Sequence, residues 1–199
     1  MDGREEGEVF LQLIGRHNVY NALGAIALGV KEGLSLDAIK KGMFAFLGTK
    51  RRMQLIGECN GIRVFDDYGH HPTEIKTTLE GLKASFDNRV ICIFQPHRYT
   101  RTRDLLETFP DSFAAADQVI ITEVYSANEP KIRGVSGKLI VDKMKPFRNG
   151  DVRFIAQKSN IANQIIGELR KGDLVITMGA GDLHTVSKEI VARLKSKEL

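Results

Sequence analysis

Ile62-Arg63-Val64-Phe65-Asp66-Asp67-Tyr68-Gly69-His70-His71-Pro72-Thr73-Glu74-Ile75 joins an apolar strand to a helix through an unusually polar turn. The strand reads Ile62 to Phe65, and the turn runs from Asp66 to Glu74 with three carboxylates, a phenol and two imidazoles. Pro72 suits the first position of a helix, and Ile75, Leu79 and Leu82 follow at helical spacing. Unpaired backbone N–H groups and the positive end of the helix dipole then meet the polar run, an arrangement that favours an anionic ligand.

Working outward, Asn60-Gly61 is a type I′ hairpin signal between Gln54 to Glu58 and Ile62 to Phe65. Downstream, strands are expected at Val90 to Phe94, Gln118 to Thr122, Val152 to Ile155 and Leu174 to Thr177. They alternate with helices near Thr102 to Ala115, Ser136 to Met144, Ser159 to Arg170 and Asp182 to Lys195. Near-continuous apolar strands between helices give an α/β fold, a Rossmann-like and mostly parallel sheet covered on both faces. Residues 1–50 read differently. A short strand at Val9 to Ile14 precedes a helix begun by Asn18, with Ala22, Leu23 and Ile26 inside, and a second helix capped by Ser35 with Leu34 and Ile39 as a staple. That is too little partner surface to bury what it offers. Residues 1–50 are therefore expected to be the mostly helical tail of a preceding domain, and 51–199 a domain of their own.

With 199 residues, 42% of them hydrophobic, the chain can bury one good core. Cys59 and Cys92 alone offer neither a disulfide framework nor zinc spacing, and read as reduced thiols in a cytoplasmic protein. Met1 to Glu8 is acidic and lacks the pattern of a signal sequence, and no apolar stretch is long enough to span a bilayer. The net charge of +4 is dispersed, concentrated locally only in Lys50-Arg51-Arg52 and Arg98 to Arg103. Two compact clusters fit a small polyanion such as a nucleotide triphosphate better than nucleic acid. No nucleic-acid or membrane partner is expected. Asp66, Asp67, His70 and His71 lack metal-ligand spacing, so no metal is expected on this chain alone.

Parallel strands end on one edge, and ligands bind beyond their carboxyl ends. The loops there are Asp66 to Pro72, Gln95 to Arg101, Glu123 to Glu129 and Met178 to Asp182; those at the other edge, Asp87-Asn88 and Lys171-Gly172-Asp173, are plain turns. Gln95-Pro96-His97-Arg98-Tyr99-Thr100-Arg101 carries two guanidiniums able to clamp a carboxylate or phosphate. Met178-Gly179-Ala180-Gly181-Asp182 either brings backbone N–H groups to an anion or makes a tight turn. His17 and Asn18, taken locally, read as helix-capping residues.

Five motifs occur in an order that resembles the bacterial Mur ligases. They are Gly15-x-His17-Asn18-x-x-Asn21, Lys50-Arg51-Arg52, Asp66 to Glu74, Phe94 to Leu105 and Met178 to Asp182. The resemblance implies an ATP-dependent, amide-forming ligase of peptidoglycan precursor synthesis. The carboxylate of UDP-N-acetylmuramate is phosphorylated, and the amine of L-alanine attacks the acyl phosphate. Position by position, it gives His17, Asn18, Arg52 and Asp67 to ATP, with Arg51 as the alternative to Arg52. It gives Tyr68, Arg98 and Arg101 to the substrates, and His70 and His97 to hydrogen bonding or proton handling. The family's G-x-x-G-K-[ST] loop is absent from this sequence. The resemblance therefore implies the end of a central ATP-binding domain and a C-terminal domain, inactive alone, with magnesium ligands mostly outside this segment. A stand-alone nucleotide- or amino-acid-binding regulatory module is the alternative. A dinucleotide oxidoreductase is more distant, since Asp67-Tyr68-Gly69-His70 stands where its glycine fingerprint belongs.

Overall fold

A computed structural model of the protein describes residues 5–147 and 151–196, so the acidic opening from Met1 lies partly outside the described residues. The chain divides into two compact units, 1–49 and 50–199. In the first, α1 (Arg16–Lys31) and α2 (Leu36–Ala45) are the regular elements. Val9 to Ile14 is not a strand; a strand needs a hydrogen-bonded neighbour, and the described residues of this unit form two helices and connecting chain. Gly15, not Asn18, caps α1. Ala22 is buried and Leu23 is 55% exposed, so this unit leaves part of the apolar surface of α1 uncovered. Ser35 caps α2 as expected, its hydroxyl oxygen accepting from Ala38 N at 3.3 Å.

The second unit is a six-stranded sheet. β1 (Gln54–Cys59) and β2 (Ile62–Asp67) form the hairpin, and Asn60 and Gly61 both hold positive φ, 53° and 72°, as a type I′ turn requires. A bulge between Leu55 and Gly57 sets the register, which ends on Cys59 opposite Ile62. Next come α3 (Pro72–Ser85), β3 (Val90–Phe94), α4 (Tyr99–Asp104), α5 (Phe109–Ser112), β4 (Gln118–Ile121), α6 (Gly137–Met144), β5 (Asp151–Phe154), α7 (Ile161–Ile165), β6 (Leu174–Met178) and α8 (His184–Ser196). The sheet order is β1-β2-β6-β3-β4-β5, antiparallel at the β1 edge and parallel elsewhere.

Strand alternation divides the core. Val90, Cys92 and Phe94 face the layer containing Leu79 of α3 and Ile140 of α6. Ile91 and Ile93 face Ile161 of α7 and Ile190 of α8. Helices cover both faces, and the central strand β3 is apolar along its whole length because neither of its faces meets water.

Several element boundaries differ from expectation, and three of the differences bear on the fold. Asp66 and Asp67 are the last residues of β2, not part of the turn, because they pair with Thr177 and Met178 of β6. The helix expected over Thr102 to Ala115 is broken into α4, a 3-10 turn at Leu106–Thr108 and α5, with Pro110 inside the last. The helix expected over Ser159 to Arg170 shortens to α7; Gly167 sits where it unwinds, and glycine weakens a helix interior.

Candidate functional site

Parallel pairing brings the ends of β2, β6, β3 and β4 to one edge, and the loops that follow hold one another there. Gly179 N donates to Asp67 O at 3.1 Å, Gln95 N to Met178 O at 3.0 Å, and Tyr125 N to Pro96 O at 2.8 Å. A continuous backbone lattice thus fixes four polar loops into one rim.

On the β2 side, Asp66 is 1% exposed. Its carboxylate accepts from Arg51 Nε at 2.9 Å and from Thr177 Oγ1 at 2.7 Å. Arg51 also donates from Nη2 to Gly179 O at 2.6 Å, and its own carbonyl accepts from Tyr68 N at 2.6 Å. Arg52 is freer: its side chain is 54% exposed, with Glu74 at 3.6 Å. The guanidinium carbons of both stand over the Tyr68 ring, at 4.9 and 5.9 Å from its centroid. Asp67 is buried, and its two oxygens accept from Met53 N and Gly69 N, each at 2.7 Å. Burial pushes its carboxyl above the ordinary range, outweighing those two donors and Arg52.

The turn before α3 closes on itself. His71 is the N-cap, its Nδ1 accepting from Thr73 N at 3.3 Å, while Glu74 Oε2 accepts from His70 N and His71 N at 3.0 and 3.2 Å. The helix terminus that the sequence offered to an anion is therefore occupied by the chain's own carboxylate. Burial works to raise Glu74, and the two backbone donors with His70 and Arg52 overcome it, holding the carboxyl below its usual range. His70 turns Nδ1 to Tyr68 O at 3.2 Å.

From the β3 side, His97 comes up to His70, the two ring centroids 5.6 Å apart. Residues 27 positions apart in the chain thus share one mouth. Arg101 Nη1 lies 3.2 Å from His97 Nδ1. Both imidazoles are held below their ordinary value. Burial is the largest cause for each; Arg101 adds to it at His70, and His70, Arg101 and Arg98 add to it at His97. Tyr68, His70, His97, Arg98 and Arg101 therefore belong to one cluster, in which the cationic groups are guanidiniums and the imidazoles are kept neutral. Such a cluster suits an anionic or carboxylate-bearing molecule.

The glycine loop after β6 is a packing device. A Cβ on Gly179 would stand 2.8 Å from Gln95 O, and one on Gly181 would stand 2.5 Å from Gln95 Oε1 and 2.7 Å from Tyr125 Cγ. The N–H of Gly179 is already taken by Asp67 O. The close approach of Gln95 and Tyr125 is what requires glycine at these two positions.

His17 and Asn18 lie in the first unit, at the start of α1, and neither is its cap. Asn18 Nδ2 donates to Ile14 O at 2.7 Å, and the His17 ring packs over Gly15. Tyr125 and Glu129, in the loop after β4, had no individual signal in the sequence beyond their place at a strand end. Asp173 was read as part of a plain turn, yet it is 3% exposed and ion-paired to Arg89 at 3.0 Å. A cleft of about 350 Å³ lies at that opposite edge, between Arg89, Gln118, Asp151 and Glu168. Two of its charged residues are paired with neighbours outside its lining, Arg89 with Asp173 at 3.0 Å and Glu168 with Arg153 at 2.7 Å. Among the described residues, no three His, Cys, Asp or Glu side chains gather as a metal set, and no helix is long and apolar enough to cross a membrane.

A family profile described as "Mur ligase, glutamate ligase domain" matches residues 51–181. The UDP-N-acetylmuramate--L-alanine ligase of Myxococcus xanthus is 40% identical over 198 residues, covering 98% of this chain and 42% of its own. The enzyme of the same name from Pelotomaculum thermopropionicum is 44% identical over 188 residues, covering 94% and 41%. Among solved structures, UDP-N-acetylmuramate-alanine ligase from Thermotoga maritima matches with a TM-score of 0.84 at 30% identity, over 98% of this chain and 41% of that one. A murein peptide ligase from Psychrobacter arcticus matches with a TM-score of 0.66 at 30% identity, over 94% and 38%. The chain spans about two fifths of the length of the curated relatives it matches.

Proposed function

The chain belongs to the Mur ligase family, and from that premise we propose that it is the C-terminal part of an ATP-dependent ligase joining L-alanine to UDP-N-acetylmuramate through an acyl phosphate. Residues 1–50 are then the end of the central ATP-binding domain, and 51–199 the C-terminal Rossmann-like domain. The large apolar side chains that the first unit leaves exposed, Phe10 at 67% and Leu47 at 76% among them, support its being part of a larger core.

The observation that carries the reading is the meeting of His70 with His97 and Arg101 at the carboxyl edge of the sheet. Formation of the amide must hold several anionic groups together and stabilise a negatively charged tetrahedral intermediate. Arg98 and Arg101 hold the L-alanine carboxylate in this scheme, Tyr68 lines the same side, and His70 and His97 supply hydrogen bonds or handle the amine's proton. Arg52 and Asp67 serve ATP, with Arg52 on the γ-phosphate; its freedom beside the tethered Arg51 favours it for that role. His17 and Asn18 serve ATP from the first unit. Magnesium, whose ligands this reading places mostly outside the chain, neutralises phosphate charge when bound. The work is cytoplasmic, where ATP and the precursor are made.

A phosphate-release assay with ATP, L-alanine and UDP-N-acetylmuramate tests this, run on the chain alone and on the full-length product of its gene. Release by the longer protein that requires all three substrates, with none from the 199-residue chain, is the expected outcome. Turnover by the chain alone would refute its proposed dependence on the missing parts, and a full-length protein indifferent to L-alanine would remove the ligase reading.

A further inference from the structure

We propose that Tyr125, in the loop after β4, is a positioning residue for His97 and Arg98, holding them at the rim through its ring and its backbone together. The proposal deepens the ligase reading, since it rests on His97 and Arg98 meeting substrate.

Its ring lies 5.7 Å from the His97 imidazole, centroid to centroid, with 15° between the planes. Its backbone forms a one-residue parallel bridge with His97: Tyr125 N donates to Pro96 O and Arg98 N donates to Tyr125 O, both at 2.8 Å. The second of these bonds matters because Arg98 sits at φ 71° and ψ 138°, a conformation L residues rarely adopt and surrounding structure must impose. Thr102 holds the other side of that residue, donating to Arg98 O from N at 3.1 Å and from Oγ1 at 2.8 Å.

Two further contacts locate the Tyr125 loop itself. Gly181 provides the seat, since a Cβ there would fall within 2.7 Å of the tyrosine ring. Glu129 latches the loop to α4, accepting from Thr100 N at 3.1 Å and Thr100 Oγ1 at 2.7 Å. Loops after β3, β4 and β6 therefore converge on one aromatic ring. The charged and titratable groups facing His97 are His70 from the turn after β2, Arg98 and Arg101 from its own loop, and Glu129 from the Tyr125 loop.

The test is NMR of the histidine Cε1–H groups in the isotopically labelled chain, followed through a pH titration. Stacking on tyrosine shifts the His97 signal upfield. Tyr125→Leu is expected to abolish that shift and, by admitting water, to move the His97 titration upward; Tyr125→Phe is expected to retain both. Glu129→Gln is expected to move the titration downward, because an acidic neighbour that favours the imidazolium is removed. Should Tyr125→Leu fail to fold, Gly181→Ala, whose Cβ would stand 2.7 Å from Tyr125 Cγ and 2.5 Å from Gln95 Oε1, crowds the ring without deleting it and reads the same signal. A His97 resonance unmoved by removal or crowding of the ring, or a phenylalanine variant that behaves like leucine, would overturn the proposal. None of these readings needs turnover, so failure of the phosphate-release assay would remove the ligase reading and leave the positioning result standing.

Discussion

Arg101 Nη1 stands 3.2 Å from His97 Nδ1, and because a guanidinium only donates, His97 accepts there and carries its proton on Nε2. His70 is the reverse case. Its Nδ1 faces the Tyr68 carbonyl at 3.2 Å and Glu74 Oε2 at 3.7 Å, both acceptors, so its proton is on Nδ1. The rim thus presents a donor from one ring and a lone pair from the other, as assigned from the hydrogen-bond network.

Long-range proton–nitrogen NMR at neutral pH should therefore report the Nε2–H form for His97 and the Nδ1–H form for His70. Arg101→Met should return His97 to a mixture of tautomers and leave His70 as it was. Identical tautomers on the two rings would contradict the arrangement.

Adjacent arginines should behave oppositely. Arg51→Met leaves the buried Asp66 carboxylate without its cation and should cost about 3 kcal/mol in urea unfolding. Arg52→Met should stay within about 0.5 kcal/mol of the parent. In the full-length protein, however, Arg52→Met should weaken ATP binding by about tenfold to a hundredfold if it meets the γ-phosphate. Equal stability losses from both variants would show that Arg52 is also part of the scaffold.

Acid should weaken the fold in a defined window. His70 and His97 titrate below the ordinary imidazole value of 6.5, so on acidification the unfolded chain takes up these protons first. Their contribution is complete above that value and is lost as pH falls through it toward the folded values. Asp67 has the opposite sign: its raised carboxyl binds a proton in the folded state before the unfolded chain does, and returns some stability as pH falls toward 3.8. Urea midpoints from pH 8 down to about pH 5 should decline for the parent and flatten for a His70→Asn, His97→Asn double variant.

The hairpin offers a local test. Gly61 holds φ 72°, and a Cβ there would stand 2.9 Å from Lys171 Cγ. Gly61→Ala should cost about 1–2 kcal/mol, visible as a lower urea midpoint at unchanged slope. A neutral outcome would mean the turn can adopt another type without disturbing Cys59 opposite Ile62.

Much of the fold was legible because the signals are local. Asn60-Gly61 dictates its turn, Pro72 starts its helix, and Val90 to Phe94 can only be a strand buried on both faces. The misreadings came where local pattern and tertiary contact disagree. Val9 to Ile14 is apolar enough for a strand but has no ladder partner. Asp66 and Asp67 look like turn residues, and β6 draws them into the sheet.

The candidate site divides along the same line. The residue types at the rim, imidazoles after β2 and guanidiniums after β3, could be read directly, since chemistry belongs to side chains and strand ends can be inferred from apolar runs. That His70 meets His97, that Arg51 is bound to the buried Asp66 while Arg52 stays largely exposed beside Glu74, and that Gly181 makes room for Tyr125 were decided only by the folded chain. The reason is that hydrogen bonds and ring contacts act over a few ångströms, and parallel pairing of distant strands sets which side chains come within that range.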